Sequence, residues 1–410
     1  MQNAKCKTQN NGIFRNFLRI GFLLLTAHCL LLTVPAQIAV RGETVWTMAG
    51  EPITNGVVLI GANGKIEAVG AANQVRIPQN YKTVSAKVVT PGLIDAHSVV
   101  GLAGYLNQPH DQMQIDASNP IQPDLRAFDA YNAEEKLIEW LRGFGVTTLH
   151  TGHAPAALVS GQTMIVKTFG KTVDDVTIVP TAMIAVTIGD AALAGQGRSP
   201  GTRAKQAAML RAELIKAGNY KGEPRDLKAE MMARVIRREI PLLVTAQRAQ
   251  DIMTALRIAK EFNIRIVLDG VSEAHLVINE IKASGFPVII HPTMYRAGGE
   301  LESLSMETAS KLKQAGILVA LQSGYETYVP KTRIVLFEAG LAAANGLSRR
   351  DALATITIDA AKILGIDNRV GSLEKGKDGD VAMYDGDPFE YTTHCTGTII
   401  NGQVVSEVVR

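Results

Sequence analysis

The chain has 410 residues, of which 46% are hydrophobic and 20% are charged, so it can bury a large core and is neither disordered nor fibrous. Its net charge is +3, and beyond the amino terminus no basic run exceeds two residues. Because phosphate binding needs a concentrated Lys/Arg surface, this composition argues against nucleic acid as a partner.

The first forty residues differ in kind from the rest. Basic residues between Lys5 and Arg19 precede the apolar run "IGFLLLTAHCLLLTV", and Val34-Pro35-Ala36 then places small residues where a signal peptidase would cut. The pattern predicts an export signal over residues 1–36 and a periplasmic or extracytoplasmic protein with no membrane contact after cleavage. A retained membrane anchor is the alternative, because a run of this length borders on what spans a bilayer.

Short strand patterns occupy both ends of the remaining chain. In the first, "GVVLIGANGKIEAVG" places Asn63-Gly64 between two apolar runs, and in the last, "TIINGQVVSEVV" places Asn401-Gly402 likewise. Asn-Gly is a strong hairpin signal, because both residues tolerate positive φ. We therefore predict one small β-sandwich domain that is assembled from residues 37–90 and 370–410.

Between these ends, helical and strand patterns alternate. Amphipathic runs such as "AEEKLIEWLRGFG", "AQDIMTALRIAKEFN", "EAHLVINEIKASG" and "METASKLKQAG" precede the short apolar runs "VTTLH", "IRIVLDG", "PVIIHP" and "ILVAL". Continuously apolar strands are expected where both faces of a parallel sheet are buried. Repeated βα units over residues 91–369 favour a (β/α)8 TIM-like barrel, an α/β fold, over an open doubly wound sheet, and no Gly-rich dinucleotide fingerprint follows any strand.

Chemistry on such a barrel sits where strands end and loops begin. Several polar residues directly follow the predicted strands, and histidine is prominent among them. They are His97, His150, His153, Lys167, Gln247, Asp269, His291 and the segment 323–326.

Three stretches of the chain resemble the amidohydrolase superfamily, and within it the exported imidazolonepropionase-like branch. They are "VVTPGLIDAH", "GVTTLHTGHAPAALVSGQTMIVKT" and "RRDALATITIDAAKILGIDNRVGSLEKGKDGDVAMYDGDPFEY". The resemblance covers the chain from about Val40 to its end and implies a barrel flanked by a composite β-sandwich. It also implies hydrolysis of carbon–nitrogen bonds other than peptide bonds, cyclic amides included, by one or two divalent metals.

The metal ligands that the resemblance implies are largely replaced. His97 matches the first residue of the family's His-x-His pair, whereas Val99 stands where the second should be. Gln247 replaces the histidine after strand five, Asp269 stands where the branch would show the histidine after strand six, and Gly324 takes the place of the aspartate after strand eight. Valine is no ligand and neutral glutamine is a poor one for zinc, so we do not expect the usual binuclear site.

Three hypotheses follow. In the first, the protein is a hydrolase with an altered site, in which His97, Asp269 and His291 bind a single divalent metal such as zinc. In the second, catalysis is metal-free, with His291 or Asp269 as the base and Lys167 or Arg296 stabilising an oxyanion. In the third, the chain is a catalytically inactive homologue that binds or scaffolds a small molecule.

These hypotheses share one set of predicted site residues. The predicted catalytic residues are His97, Lys167, Asp269 and His291, and the predicted substrate-binding residues are His153, Gln247, Arg296 and Tyr325. The expected partner is a small-molecule substrate, and the sequence leaves open whether the chain forms a homo-oligomer.

Overall fold

The computed structural model describes residues 37–195, 197–293, 298–324 and 335–410. The predicted export signal lies outside these residues, so it stays a prediction. In the described ranges, no helix has the length and apolar character that crossing a bilayer requires.

The described chain forms a mixed set of strands and helices. The strands are β1 (Ile38–Val45), β2 (Ile53–Ile60), β3 (Ile66–Ala71), β4 (Lys82–Pro91), β5 (Leu93–Ser98), β6 (Val146–Thr151), β7 (Val159–Gln162), β8 (Met164–Lys167), β9 (Thr177–Val179), β10 (Ile184–Thr187), β11 (Leu242–Ala246), β12 (Ile266–Gly270), β13 (Val288–Ile290), β14 (Val319–Leu321), β15 (Val381–Tyr384), β16 (Cys395–Ile400) and β17 (Gln403–Ser406). The helices are α1 (Lys136–Arg142), α2 (Val173–Val176), α3 (Arg203–Gly218), α4 (Leu227–Ile236), α5 (Ala249–Phe262), α6 (Ile278–Ser284), α7 (Thr308–Gln314), α8 (Val335–Ala344), α9 (Arg349–Thr355) and α10 (Ile358–Leu364).

A seven-stranded sheet combines strands from both ends of the chain, in the order β17-β16-β15-β4-β1-β2-β3. Only the β1–β4 pair is parallel, and β4 pairs on its other side with β15 in antiparallel register. Gly64 has φ +73° in the tight turn between β2 and β3, and Asn401 and Gly402 have φ +48° and +73° between β16 and β17. Both turns thus have positive φ at the glycine, and the second turn also has it at the asparagine.

Two further sheets form the central part of the molecule. The six-stranded sheet has the order β14-β13-β12-β11-β10-β7, with β10 to β14 parallel and β7 antiparallel. The four-stranded sheet has the order β5-β6-β8-β9, with β5 and β6 parallel and β8 antiparallel to β6. The helices α1, α5, α6 and α7 and the strands β6, β12, β13 and β14 lie where the apolar patterns predict them.

The two central sheets meet at isolated contacts. Ser98 forms a parallel bridge with Gly324, and the backbone of Thr163 hydrogen-bonds to Met183 and Ala182. The described strands thus form two sheets with antiparallel members, and the closed ring of eight parallel strands stays a prediction. The α/β class of the prediction is confirmed, and apolar side chains from strands and surrounding helices fill one large core.

Candidate functional site

The parallel strands of the two central sheets end on buried polar residues. His97 is the second-last residue of β5, Asp269 lies near the end of β12, and His291 directly follows β13. Thr245 in β11 is the register partner of Asp269, and Gln322 directly follows β14. Because parallel strands share one carboxyl edge, these side chains converge from separate parts of the sequence.

A buried carboxylate, Asp269, organises this edge. The Nδ1 atom of His97 lies 3.1 Å from its Oδ1, and both side chains are almost completely buried. Gln322 Nε2 donates to the same oxygen at 2.5 Å, and the Thr245 hydroxyl donates to Oδ2 at 2.6 Å. An ionised carboxylate only accepts hydrogen bonds, so the His97 proton is on Nδ1.

The charge on Asp269 is maintained by its neighbours. Burial alone would raise its pKa, but the charge and hydrogen bond of His97, the hydrogen bond of Thr245 and the charge of His291 together lower that pKa. The carboxylate is therefore ionised at neutral pH although it is out of contact with solvent.

The pKa of a second buried aspartate, Asp95 of β5, is shifted in the opposite direction. Its pKa is raised to about 6 by burial, an effect that hydrogen bonds from Ser323 and the backbone N–H of His97 only partly offset. Ser323 donates to it through both its backbone N–H, at 3.0 Å, and its hydroxyl. Sequence reasoning passed over Asp95, although its place two residues before His97 puts both side chains on the same side of the strand.

Three of the predicted site residues lie against glycines of positive φ. A Cβ atom on Gly161 would lie 2.5 Å from the His153 ring, one on Gly270 2.4 Å from the Gln247 amide, and one on Gly324 2.4 Å from the His291 ring. Their φ angles are +139°, +77° and +98°. Each glycine gives a site side chain room that any larger residue would occupy. The resemblance places an aspartate at Gly324, and that side chain would collide with His291.

The two other histidines of this region have different environments. His150 places Nδ1 2.7 Å from the carbonyl of Ala96 and Nε2 2.6 Å from the Thr163 hydroxyl. Burial, with the charge of His97, lowers its pKa to about 3, so His150 is a neutral, fully bonded core residue. His153 is also buried, with a pKa lowered to about 4, and within the described ranges neither of its ring nitrogens has a hydrogen-bond partner.

A pocket of about 370 Å³ opens beside this edge. Four of its polar lining residues come from the ends of β10, β11 and β13, namely Thr187, Thr245, Gln247 and His291. The Gln247 amide is oriented by Ser272, whose backbone N–H and hydroxyl donate to its Oε1. The structure thus brings His291 and Gln247 to one cavity, with His97 and Asp269 behind Thr245.

Lys167 is elsewhere, which corrects the expectation that it lies at the shared carboxyl edge. Strand β8 runs antiparallel to β6, so Lys167 pairs with Thr148 near the amino end of β6. Its ammonium group is buried between two carboxylates, at 3.0 Å from Asp378 and in direct contact with Asp380. Arg296 and Tyr325, two of the predicted substrate-binding residues, lie outside the described residues.

The described side chains do not fit the predicted metal. No three His, Cys, Asp or Glu side chains of the described chain come together as a ligand group. Both carboxylate oxygens of Asp269 already accept hydrogen bonds, and one of them faces His97 directly. Val99, at the second family position, is buried in a small apolar cluster with Ala103 and Ala154. The predicted zinc site of His97, Asp269 and His291 is therefore not formed by these residues.

Comparison with known proteins agrees with the fold. Residues 324–406 match the sequence model of the amidohydrolase family. A solved amidohydrolase from Thermotoga maritima MSB8 is 29% identical, and the match covers 90% of this chain and 100% of that one with a TM-score of 0.85. The chain thus has the fold of an amidohydrolase, and its carboxyl-terminal part carries the sequence pattern of the family.

More distant structures share the fold alone. An adenosine deaminase from Xanthomonas campestris, solved with bound zinc, is 16% identical, with 90% of this chain and 93% of that one covered and a TM-score of 0.55. A Xaa-Pro dipeptidase with methionine in its active site is 13% identical, with 90% and 100% covered and a TM-score of 0.56. No curated protein matches the sequence.

Proposed function

We propose that the protein is an amidohydrolase-type hydrolase that cleaves a carbon–nitrogen bond of a small molecule in the pocket beside β10, β11 and β13. The family match over residues 324–406 supports the reaction class, and the solved relatives include a deaminase and a dipeptidase by name. The likeness to the imidazolonepropionase-like branch extends the proposal to cyclic amides.

The observation that carries the proposal is the double role of Thr245. Its side chain lines the pocket and also donates to Asp269 at 2.6 Å. The buried pair of His97 and Asp269 is therefore one hydrogen bond behind the pocket wall. A charged group in that place changes the electrostatic potential at the cavity, where His291 lies.

His291 is the residue that we assign as the catalytic base. When the imidazole takes a proton from the attacking water, it becomes positively charged, and the ionised Asp269 stabilises that charge. The same proton then returns to the leaving nitrogen, which departs as a neutral amine. Three residues are positioning residues, because they hold the Asp269 carboxylate: His97, Thr245 and Gln322. Of these, Thr245 also lines the cavity.

The test compares two histidines. We expect His291→Ala to lower kcat/KM by about 10²- to 10⁴-fold on a panel of small linear and cyclic amides, the usual contribution of a general base. His394→Ala is the control, since His394 is half exposed, pairs with Asp385 and does not line the pocket. Full activity in His291→Ala would remove that residue from the mechanism.

Elemental analysis of the purified protein tests the metal question separately. Since the described residues offer no three-ligand group, we expect zinc well below one ion per chain after gel filtration. One tightly bound ion per chain would mean that residues beyond the described ranges complete a site, and the mechanism would then have to include it.

The second candidate function is that of a binding protein without turnover. The hydrogen bonds that the Asp269 carboxylate already accepts favour this candidate. The two carboxylate oxygens are occupied by Thr245, Gln322 and His97, so the carboxylate itself cannot reach a substrate. Under this alternative, ligands bind to the pocket, no amide is hydrolysed, and His291→Ala changes affinity only.

We also propose that residues 1–36 direct export and that the mature chain works outside the cytoplasm. Mass spectrometry of the amino terminus after expression in a secreting host tests this, with cleavage near Ala36 as the expected result.

A further inference from the structure

One guanidinium group joins three carboxylates at the mouth of the pocket. Arg203, at the start of α3, donates through Nε to Asp251 at 2.8 Å, and its two terminal nitrogens lie 2.9 Å from Asp190 and 2.6 Å from Glu300. All three guanidinium nitrogens are therefore used within the cluster.

Two of these carboxylates belong to the pocket wall. Asp190 and Glu300 line the cavity, whereas Arg203 and Asp251 do not. The side chain of Glu300 is 13% exposed and that of Asp190 is 50% exposed. Apart from His291, they are the ionisable side chains in the lining of this cavity as the described residues form it.

The cluster carries more negative than positive charge. Three carboxylates face one guanidinium. The other cation that acts on Asp251 is Arg248, which is partly buried and donates to the carbonyl of Gly299. Burial and the neighbouring carboxylates Asp190 and Asp251 raise the pKa of Glu300, although Arg203 opposes them. A positive ligand group at Glu300 would relieve this repulsion.

The rest of the cavity wall is apolar. Ile188, Ala191, Pro292 and Leu301 line it beside the polar strand ends. A molecule that fills this cavity therefore meets an apolar surface, two acidic side chains and His291.

The following inference rests on the proposed function of this pocket. We propose that its substrates are amides that carry an ammonium group on an apolar body, and that Glu300 and Asp190 bind the ammonium. The carboxylate of Glu300 accepts from the backbone N–H of Asp190 at 2.8 Å, so it is held in place before any ligand arrives. A charged acceptor that is already oriented binds an ammonium more strongly than a mobile one.

Calorimetry with two simple probes tests the charge preference without requiring turnover. Hexylammonium and hexanoate have apolar chains of similar length and opposite charges. We expect hexylammonium to bind to the wild-type protein more tightly than hexanoate. Glu300→Gln should weaken hexylammonium binding about tenfold or more, the cost of losing one charged partner.

Three variants complete the design. In Glu300→Gln the amide oxygen can still accept from Asp190 N–H and Arg203, so the loop should keep its place. Asp190→Asn serves as the second variant, since Asp190 is half exposed and its loss is tolerated more easily. Glu261→Gln is the control, because it removes the same charge from α5, where Glu261 forms a surface pair with Arg211 of α3. Melting temperatures verify that each variant is folded.

The outcomes separate the two proposals. Weaker hexylammonium binding in Glu300→Gln and Asp190→Asn, with Glu261→Gln unchanged, supports the inference even if no amide is hydrolysed. Tighter binding of hexanoate, or equal hexylammonium affinity in all variants, overturns it. Hydrolysis of hexanoyl p-nitroanilide as fast as of its 6-amino derivative would also overturn it, while leaving the hydrolase proposal intact.

Discussion

Two buried ionic clusters of the described chain lie at opposite ends of the central strands. One surrounds Asp269 at the carboxyl edge, and the other surrounds Asp378, where Lys167 and Lys65 meet the seven-stranded sheet. In both, burial alone would raise the pKa of the aspartate, and neighbouring groups lower it instead. The pocket of about 370 Å³ lies beside the first cluster, where Thr245 lines it.

This difference shows that a buried aspartate with a shifted pKa does not by itself indicate function. The Asp378 cluster uses strong cations, and Arg369 adds a third at 3.1 Å, so its charges neutralise one another. The Asp269 cluster uses a histidine, a hydroxyl and an amide, which stabilise a charge without cancelling it. An uncancelled charge near a cavity can act on a ligand, whereas a cancelled one serves mainly to join two parts of the fold.

The largest effect on stability should come from breaking the Asp378 cluster. Lys167→Met leaves Asp378 and Asp380 buried without their main cation, and we expect a loss of about 3–5 kcal/mol in the free energy of unfolding. Lys65→Met is the control, because Lys65 binds the same Asp378 but is 40% exposed, and it should cost about 1 kcal/mol or less. Urea unfolding followed by circular dichroism measures both, and equal losses would contradict the distinction.

A smaller effect should appear in the pH dependence of stability. The folded pKa of Asp95 is about 6 against a usual value of 3.8, so between these values the folded state holds a proton that the unfolded state has released. The stabilisation is complete below pH 3.8 and is lost as the pH rises through 6. At 1.36 kcal/mol per unit this amounts to about 3 kcal/mol.

Asp95→Asn removes that titration. We expect the stability difference between wild type and variant to change across pH 4 to 7 in favour of the variant, as measured by urea unfolding at several pH values. A difference that is constant with pH would show that Asp95 titrates normally. Asp385→Asn is the control, because Asp385, which directly follows β15, is partly exposed and its pKa is lowered instead.

The smallest effect should follow from filling the space beside His291. A Cβ on Gly324 would lie 2.4 Å from the ring, and its φ of +98° disfavours any side chain. Gly376→Ala is matched, since Gly376 has φ +92° and nothing within 4 Å of the added atom. We expect Gly324→Ala to cost about 2 kcal/mol more than the control and to lower amide turnover through a displaced His291. Unchanged turnover would separate His291 from the reaction.

Much of the fold was predictable because its signals are local. The two Asn-Gly turns require only positive φ, and α5 shows its apolar face at helical spacing. The direction of β8 was not predictable. "TMIV" followed by Lys167 reads like any apolar strand, and only its long-range pairing with β6 decides that Lys167 faces away from the carboxyl edge.

The candidate site was predictable where residue chemistry is distinctive. His97 and Asp269 were both expected at strand ends, and the structure places them in hydrogen-bonding contact. Thr245 and Gln322 were missed, because threonine in a strand and glutamine after one are too common to indicate a site. Glu300 and Asp190 were missed for another reason, since only the fold brings their loops, more than a hundred residues apart in the chain, to one arginine.

The late pairing of β15 with β4 in the seven-stranded sheet has a consequence for synthesis. Pro91 of β4 lies beside Val381 of β15, so the whole central part of the chain must be made between the two partners. Until β15 emerges from the ribosome, one edge of β4 has no hydrogen-bonding partner within its own chain. Exposed strand edges recruit other chains. The nascent protein therefore passes through a long aggregation-prone interval, and a stop codon before Val381 would make that interval permanent.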